Sequence, residues 1–100
     1  GAASIRLDAA LLRKFQVTPN ETSQLVHTFS DVEGIKAWVF FIEEPDEIRV
    51  RLRSKGPVIN EIAKKYDGGG HPLAAGARVH TWEEADRVAR DLEKVCSNFS

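Results

Sequence analysis

Residues 35–43 (Ile-Lys-Ala-Trp-Val-Phe-Phe-Ile-Glu) are apolar at both alternating sets of positions. In an extended chain Trp38, Phe40 and Ile42 fall on one side, and Ile35, Ala37, Val39 and Phe41 on the other. A strand covered on both sides accounts for such a run, so it is expected to lie centrally in a sheet. Residues 44–47 (Glu-Pro-Asp-Glu) then signal a turn. Residues 48–54 alternate strictly, with Ile48, Val50 and Leu52 facing one way and Arg49, Arg51 and Arg53 the other. The two stretches are predicted to form an antiparallel hairpin.

The flanking segments supply cover for that hairpin. Ile5 and Leu7 alternate with Arg6, which suits a short edge strand. Asp8 can cap a first helix reaching Phe15. Thr18-Pro19-Asn20-Glu21 is a capping box that opens a second helix carrying Leu25, Val26 and Phe29, and Gly34 ends this part. Gly56-Pro57 opens a short helix over 58–66, whose predicted buried stripe is Val58, Ile59, Ile62, Ala63 and Tyr66. A strand is expected over 77–80. Thr81 caps the last helix and Glu84 completes its capping box, with Ala85, Val88, Ala89, Leu92, Val95 and Cys96 at helical spacing. The expected order is βααββαβα. The fold class is α/β, a small mixed β-sheet with helices packed on it.

Size and composition narrow the function classes. A chain of 100 residues makes one domain, 1–100, with no room for a cleft between two. A net charge of −1 argues against a broad grip on a nucleic-acid duplex, though not against a local basic patch. Cys96 is the one cysteine, which excludes an intrachain disulfide and a cysteine-based zinc site. A cytoplasmic setting is the expectation. The longest apolar run, 37–42, is far short of the roughly 20 residues of a membrane helix. His27 and His80 stand alone, and no nucleophile–base pair or metal-ligand spacing is evident.

Two features point to chemistry. Three of the seven glycines, Gly68, Gly69 and Gly70, sit together before His71. One glycine suffices to end a helix, and three cost conformational entropy. A backbone that offers N–H donors to an anion at close range would explain the excess, with His71 adding a donor. The alternative is a flexible helix-to-strand loop with a surface histidine. The arginine strand is the second feature, because guanidinium groups bind phosphate bidentately. Its alternative is a solvated face paired with glutamates. The strand gains weight because Arg53-Ser54-Lys55-Gly56 leads into the helix that feeds the glycines, and that helix's N-terminus adds a positive dipole end.

Arg51-Leu52-Arg53-Ser54-Lys55-Gly56, Ile62-Ala63, and Gly68-Gly69-Gly70-His71-Pro72-Leu73-Ala74-Ala75-Gly76-Ala77 together resemble the DHHA1 domain. This is the C-terminal module of the DHH phosphoesterases. The likeness is nearest to the oligoribonuclease and 3′-phosphoadenosine 5′-phosphate phosphatase branch, also described as exopolyphosphatase-related, and it covers essentially the whole chain. The resemblance implies that Gly68, Gly69, Gly70 and His71 line a substrate cleft, and that Arg53 and Ser54 hold a phosphate. Arg51 stands where that branch often has a small serine, which leaves it as a further phosphate contact or as an outward surface residue.

The resemblance further implies a partner, an N-terminal DHH domain holding two metal ions, usually manganese. No Asp-His-His motif occurs in these 100 residues. No cofactor and no catalytic residue is therefore expected in this domain, which should bind short RNA or a nucleotide phosphate without hydrolysing it. No membrane contact is expected of it, and a homodimer is the expectation for the longer protein. Two other readings stay open: the same domain in a cyclic-dinucleotide phosphodiesterase or exopolyphosphatase, and a structural docking or dimerisation module.

Overall fold

The computed structural model describes residues 2–7 and 34–99. Five strands form one mixed sheet: β1 (Ala2–Leu7), β2 (Ala37–Glu43), β3 (Ile48–Ser54), β4 (Gly69–His71) and β5 (Ala74–Val79). Two helices, α1 (Asn60–Lys65) and α2 (Trp82–Asn98), complete the described elements. The strand order is β1-β2-β3-β5-β4, with β1 parallel to β2 and every other pair antiparallel. The two helices predicted between Asp8 and Phe29, and His27 with them, lie outside the described residues.

The double-sided run becomes β2, buried at Ala37, Trp38, Val39, Phe40 and Phe41. Ala37, Val39 and Phe41 join Val50, Leu52, Val88 and Leu92 in the core beneath α1 and α2. Burying side chains of this size contributes about 2 kcal/mol each. Trp38 and Phe40 pack with Leu7 on the opposite face, flanked by Ile5 and Ile42. The β2–β3 hairpin forms as expected, in a register that sets Trp38 against Arg53, Phe40 against Arg51 and Ile42 against Arg49.

Trp82 and Arg6 tie α2 to the far edge of the sheet. The Trp82 ring meets Phe41 edge-on at 6.5 Å and donates to Glu43 through Nε1 at 3.3 Å. Arg6 stacks over the same ring and pairs with Asp86. Tyr66 donates its hydroxyl to Asp91 at 3.0 Å, joining α1 to α2.

Three expectations need correction. The helix over 58–66 begins two residues later, at Asn60, so Val58 leaves the buried stripe and is half exposed. With six residues, and with Ile59 N–H already given to Pro72 O at 2.8 Å, α1 offers no anion site at its N-terminus. The last strand starts at Ala74 rather than Ala77, because Gly69–His71 forms an unforeseen strand that pairs with it.

The start of α2 follows the sequence signal. Thr81 Oγ1 accepts from Glu84 N–H at 3.1 Å, while Glu84 Oε1 accepts from the N–H of His80. Removing the cap by Thr81→Ala is expected to cost about 1 kcal/mol in a urea titration, with the denaturant slope unchanged.

Candidate functional site

Strand alternation fixes what lies on the face away from α1 and α2. Arg49, Arg51 and Arg53 of β3 project there. Their partners on β5 are Arg78, Gly76 and Ala74, in that order. Beyond these on β4 lie Gly69, opposite Gly76, and His71, opposite Ala74. Small residues on β5 and β4 thus make a low floor beside a wall of three arginines. From Arg49 to Arg53 the wall runs four residues, about 13 Å. At the Arg49 end the floor deepens into a cleft of about 280 Å³, lined by Arg49, Arg51, Gly68, Gly76 and Arg78, with Glu47 and Asp67 at its rim. Arg53 and His71 stand at the other end of the groove, outside that cleft.

Each glycine of the triplet has a different reason to be there. A Cβ on Gly68 would stand 2.0 Å from Gly76 O, so two backbones meet too closely for any side chain. Gly68 N–H also closes α1 onto Ala63 O at 2.9 Å, after Asp67 turns the chain at φ 60°. Gly70 has φ 142°, and a Cβ there would lie 2.8 Å from Ala74 O. Gly69 differs, because a Cβ would meet nothing within 4 Å. Its bareness serves no contact among the described residues, and it faces the groove. The segment is a strand rather than a loop of converging donors. In a strand successive N–H groups alternate in direction, so the run of three does not aim them at one anion.

The arginines are unequally committed. Arg53 gives Nη1 to Leu52 O at 2.8 Å and to Ala75 O at 3.3 Å. This pins the guanidinium to the sheet and leaves its Nε–Nη2 edge for a ligand. Burial, and then the neighbouring Arg51 charge, draw the Arg53 guanidinium below its usual pKa. Arginine starts high enough to keep its proton near neutrality, and a phosphate between the two would relieve the repulsion. Arg51 is partly buried, and its Nε has no hydrogen-bond partner. Its side chain lies on the groove face, beside Gly76. Arg49 and Arg78 oppose each other across the strands, an unfavourable like-charge pair. Glu44 lies 3.5 Å from Arg49 and Glu47 3.7 Å from Arg78, which offsets part of it.

Ser54 is not brought to the groove. It pairs with Ala37 and so belongs to the helix side, where its hydroxyl accepts Gly56 N–H at 3.0 Å and donates to Lys36 O at 3.4 Å. Ser54 shapes the loop behind Arg53. Arg78 and Gly76 join the groove without having been singled out from sequence. The signal was in the alternation Ala74, Gly76, Arg78, legible only once β5 starts at Ala74. Among the described residues no group of three His, Cys, Asp or Glu side chains gathers to hold a metal, and no helix is long and apolar enough to cross a membrane.

The family model of the DHHA1 domain matches residues 6–98. The chain belongs to the DHHA1 family. This DHHA1 domain is 59% identical over 96 residues to the bifunctional oligoribonuclease and PAP phosphatase NrnA of Bacillus subtilis, covering 96% of this chain and 31% of that protein. It is 43% identical to the probable bifunctional oligoribonuclease and PAP phosphatase NrnA of Streptococcus mutans, over 95% of this chain and 31% of the relative. Among solved structures, an exopolyphosphatase-related protein from Bacteroides fragilis superposes with a TM-score of 0.75 at 27% identity, over 92% of this chain and 28% of that one. The chain therefore spans about a third of the length of these relatives.

Sterics and groove access separate at the glycines. Gly68→Ala is expected to destabilise the domain by at least about 2 kcal/mol in chemical denaturation. Gly69→Ala is expected to stay within about 0.5 kcal/mol of the parent in the same titration.

Proposed function

We propose that the arginine groove is the phosphate-binding surface of a longer DHH phosphoesterase, acting on short oligoribonucleotides and on 3′-phosphoadenosine 5′-phosphate. The observation that carries this reading is Arg51, a partly buried side chain beside the bare Gly69–Gly76 floor whose buried Nε meets no acceptor among the described residues. A solvated structural arginine would be paired or outward. A groove of about 13 Å accepts more than one phosphate, as both substrates require.

The residues divide the work. Arg53, pinned through Nη1, presents a preset fork to one phosphate, so little freedom is lost on binding. Arg51 takes a second oxygen or the neighbouring phosphate. His71 adds a donor at the end of the groove, and Gly69 lets the substrate approach the backbone. These contacts orient the substrate and neutralise its charge. A divalent metal centre in the DHH domain, with manganese the expected ion, would supply the activated water. None of the described residues here fits such a centre.

Val58 and Leu73 are half exposed, and Leu73 follows His71 and Pro72 in the chain. Their segments are joined by Ile59 N–H to Pro72 O and by Ser54 N–H to Leu73 O. These two side chains are where the DHH domain would close over bound substrate.

The 100-residue chain is expected to show no hydrolysis of either substrate with added manganese. Activity that copurifies with it would refute the division of labour. In the longer protein, Arg53→Ala is expected to lower kcat/KM by about ten- to a hundred-fold, and Arg53→Lys by nearly as much because the fork is lost. Steady-state kinetics on the two variants, with circular dichroism to confirm folding, decides this.

A further inference from the structure

The loop behind Arg53 is held from three sides. Ser54 N–H donates to Leu73 O at 3.0 Å, and Lys55 N–H to Lys36 O at 2.8 Å. Ser54 Oγ bridges Gly56 N–H and Lys36 O. The outer side is closed by one ring. Phe99, just past α2, lies directly over Gly56, where a Cβ would stand 2.6 Å from its Cζ. Lys36 Nζ sits 5.4 Å from the ring centroid, and Phe99 N–H holds the backbone to Cys96 O at 3.3 Å. The ring is 41% exposed, so it covers the loop rather than filling the core. It also falls one residue beyond the span that the family model matches.

We propose that Phe99 is a positioning residue for substrate binding: seated on Gly56, it holds the Ser54–Gly56 turn, and through it Arg53, in the binding conformation. This rests on the reading of Arg53 as a phosphate ligand. Gly56 and Phe99 act as one unit. The glycine provides the seat, and the ring stops the turn from lifting off Lys36. Loss of the ring frees the loop while β3 and the core stay in place. Affinity is thereby lost, and the chemical step, carried out in another domain, is untouched.

The test uses the longer protein with a short oligoribonucleotide. Phe99→Ala is expected to raise KM about three- to ten-fold and to keep kcat within about twofold. Hydrogen–deuterium exchange at 54–56 rises with it. Phe99→Leu, which keeps an apolar plug, recovers most of the affinity. Gly56→Ala, whose methyl displaces the ring, raises KM alike, and the double variant is no worse than either single one. Arg53→Ala is the control. If it raises KM while folded Phe99→Ala matches the parent, Phe99 has no positioning role and the phosphate reading stands. If Arg53→Ala leaves kcat/KM unchanged, the phosphate reading fails and takes this one with it. A fall in kcat at constant KM also overturns the proposal. Should Phe99→Ala not fold, Gly56→Ala decides alone, and a parental KM in that variant is the refuting result.

Discussion

Trp38 pairs with Arg53 and Phe40 with Arg51, and this register between β2 and β3 governs what each face of the sheet can do. One face of β3 must send Val50 and Leu52 under the helices, so the other must carry its arginines outward. A slip by one residue would bury guanidinium groups among Val39, Phe41 and Leu92, at a cost the domain could not meet. The hydrophobic pattern thus secures the arginine row indirectly. No arginine contact is needed to place the row, so the hydrogen bonds that Arg53 makes to Leu52 O and Ala75 O orient its guanidinium rather than set the register.

On the groove face the sheet changes character along its width. Leu7, Trp38 and Phe40 make it apolar at the β1–β2 side. From β3 outward the same rows become Arg51, Gly76 and Gly69, or Arg53, Ala74 and His71. One continuous backbone surface therefore carries an apolar half and an arginine-lined half. The arginine half is stiffened because its neighbour is packed. Arg53 shows the benefit, since its anchors are main-chain carbonyls of β3 and β5 rather than mobile side chains.

Much of this was legible in the sequence because periodicity reports burial. The run 35–43 foretold a strand covered on both faces, residues 48–54 foretold the arginine row, and Thr81 with Glu84 foretold the start of α2. The motif of three glycines and a histidine did not disclose its own conformation. Glycine has low intrinsic strand preference, so Gly69–His71 gives no strand signal, and only pairing with β5 makes it one. That missing strand also hid Gly76 and Arg78, whose positions depend on where β5 begins. Ser54 went astray for a different reason. Adjacent residues in a motif share a name in sequence but sit on opposite faces of a strand, and its hydroxyl was already claimed by Gly56.

The opposed pair of Arg49 and Arg78 has a consequence beyond geometry. Two guanidinium groups held together by strand pairing, and only partly offset by Glu44 and Glu47, concentrate positive charge at that end of the groove. A single-stranded polyanion carries condensed cations, and on the proposed function each phosphate met by these guanidinium groups would set part of that atmosphere free and so drive association. The grip therefore slackens as salt rises, with a logarithmic slope of roughly 0.7 per phosphate engaged by a single strand. The salt dependence of affinity becomes a count of how many phosphates the groove holds, read without any structure of the complex.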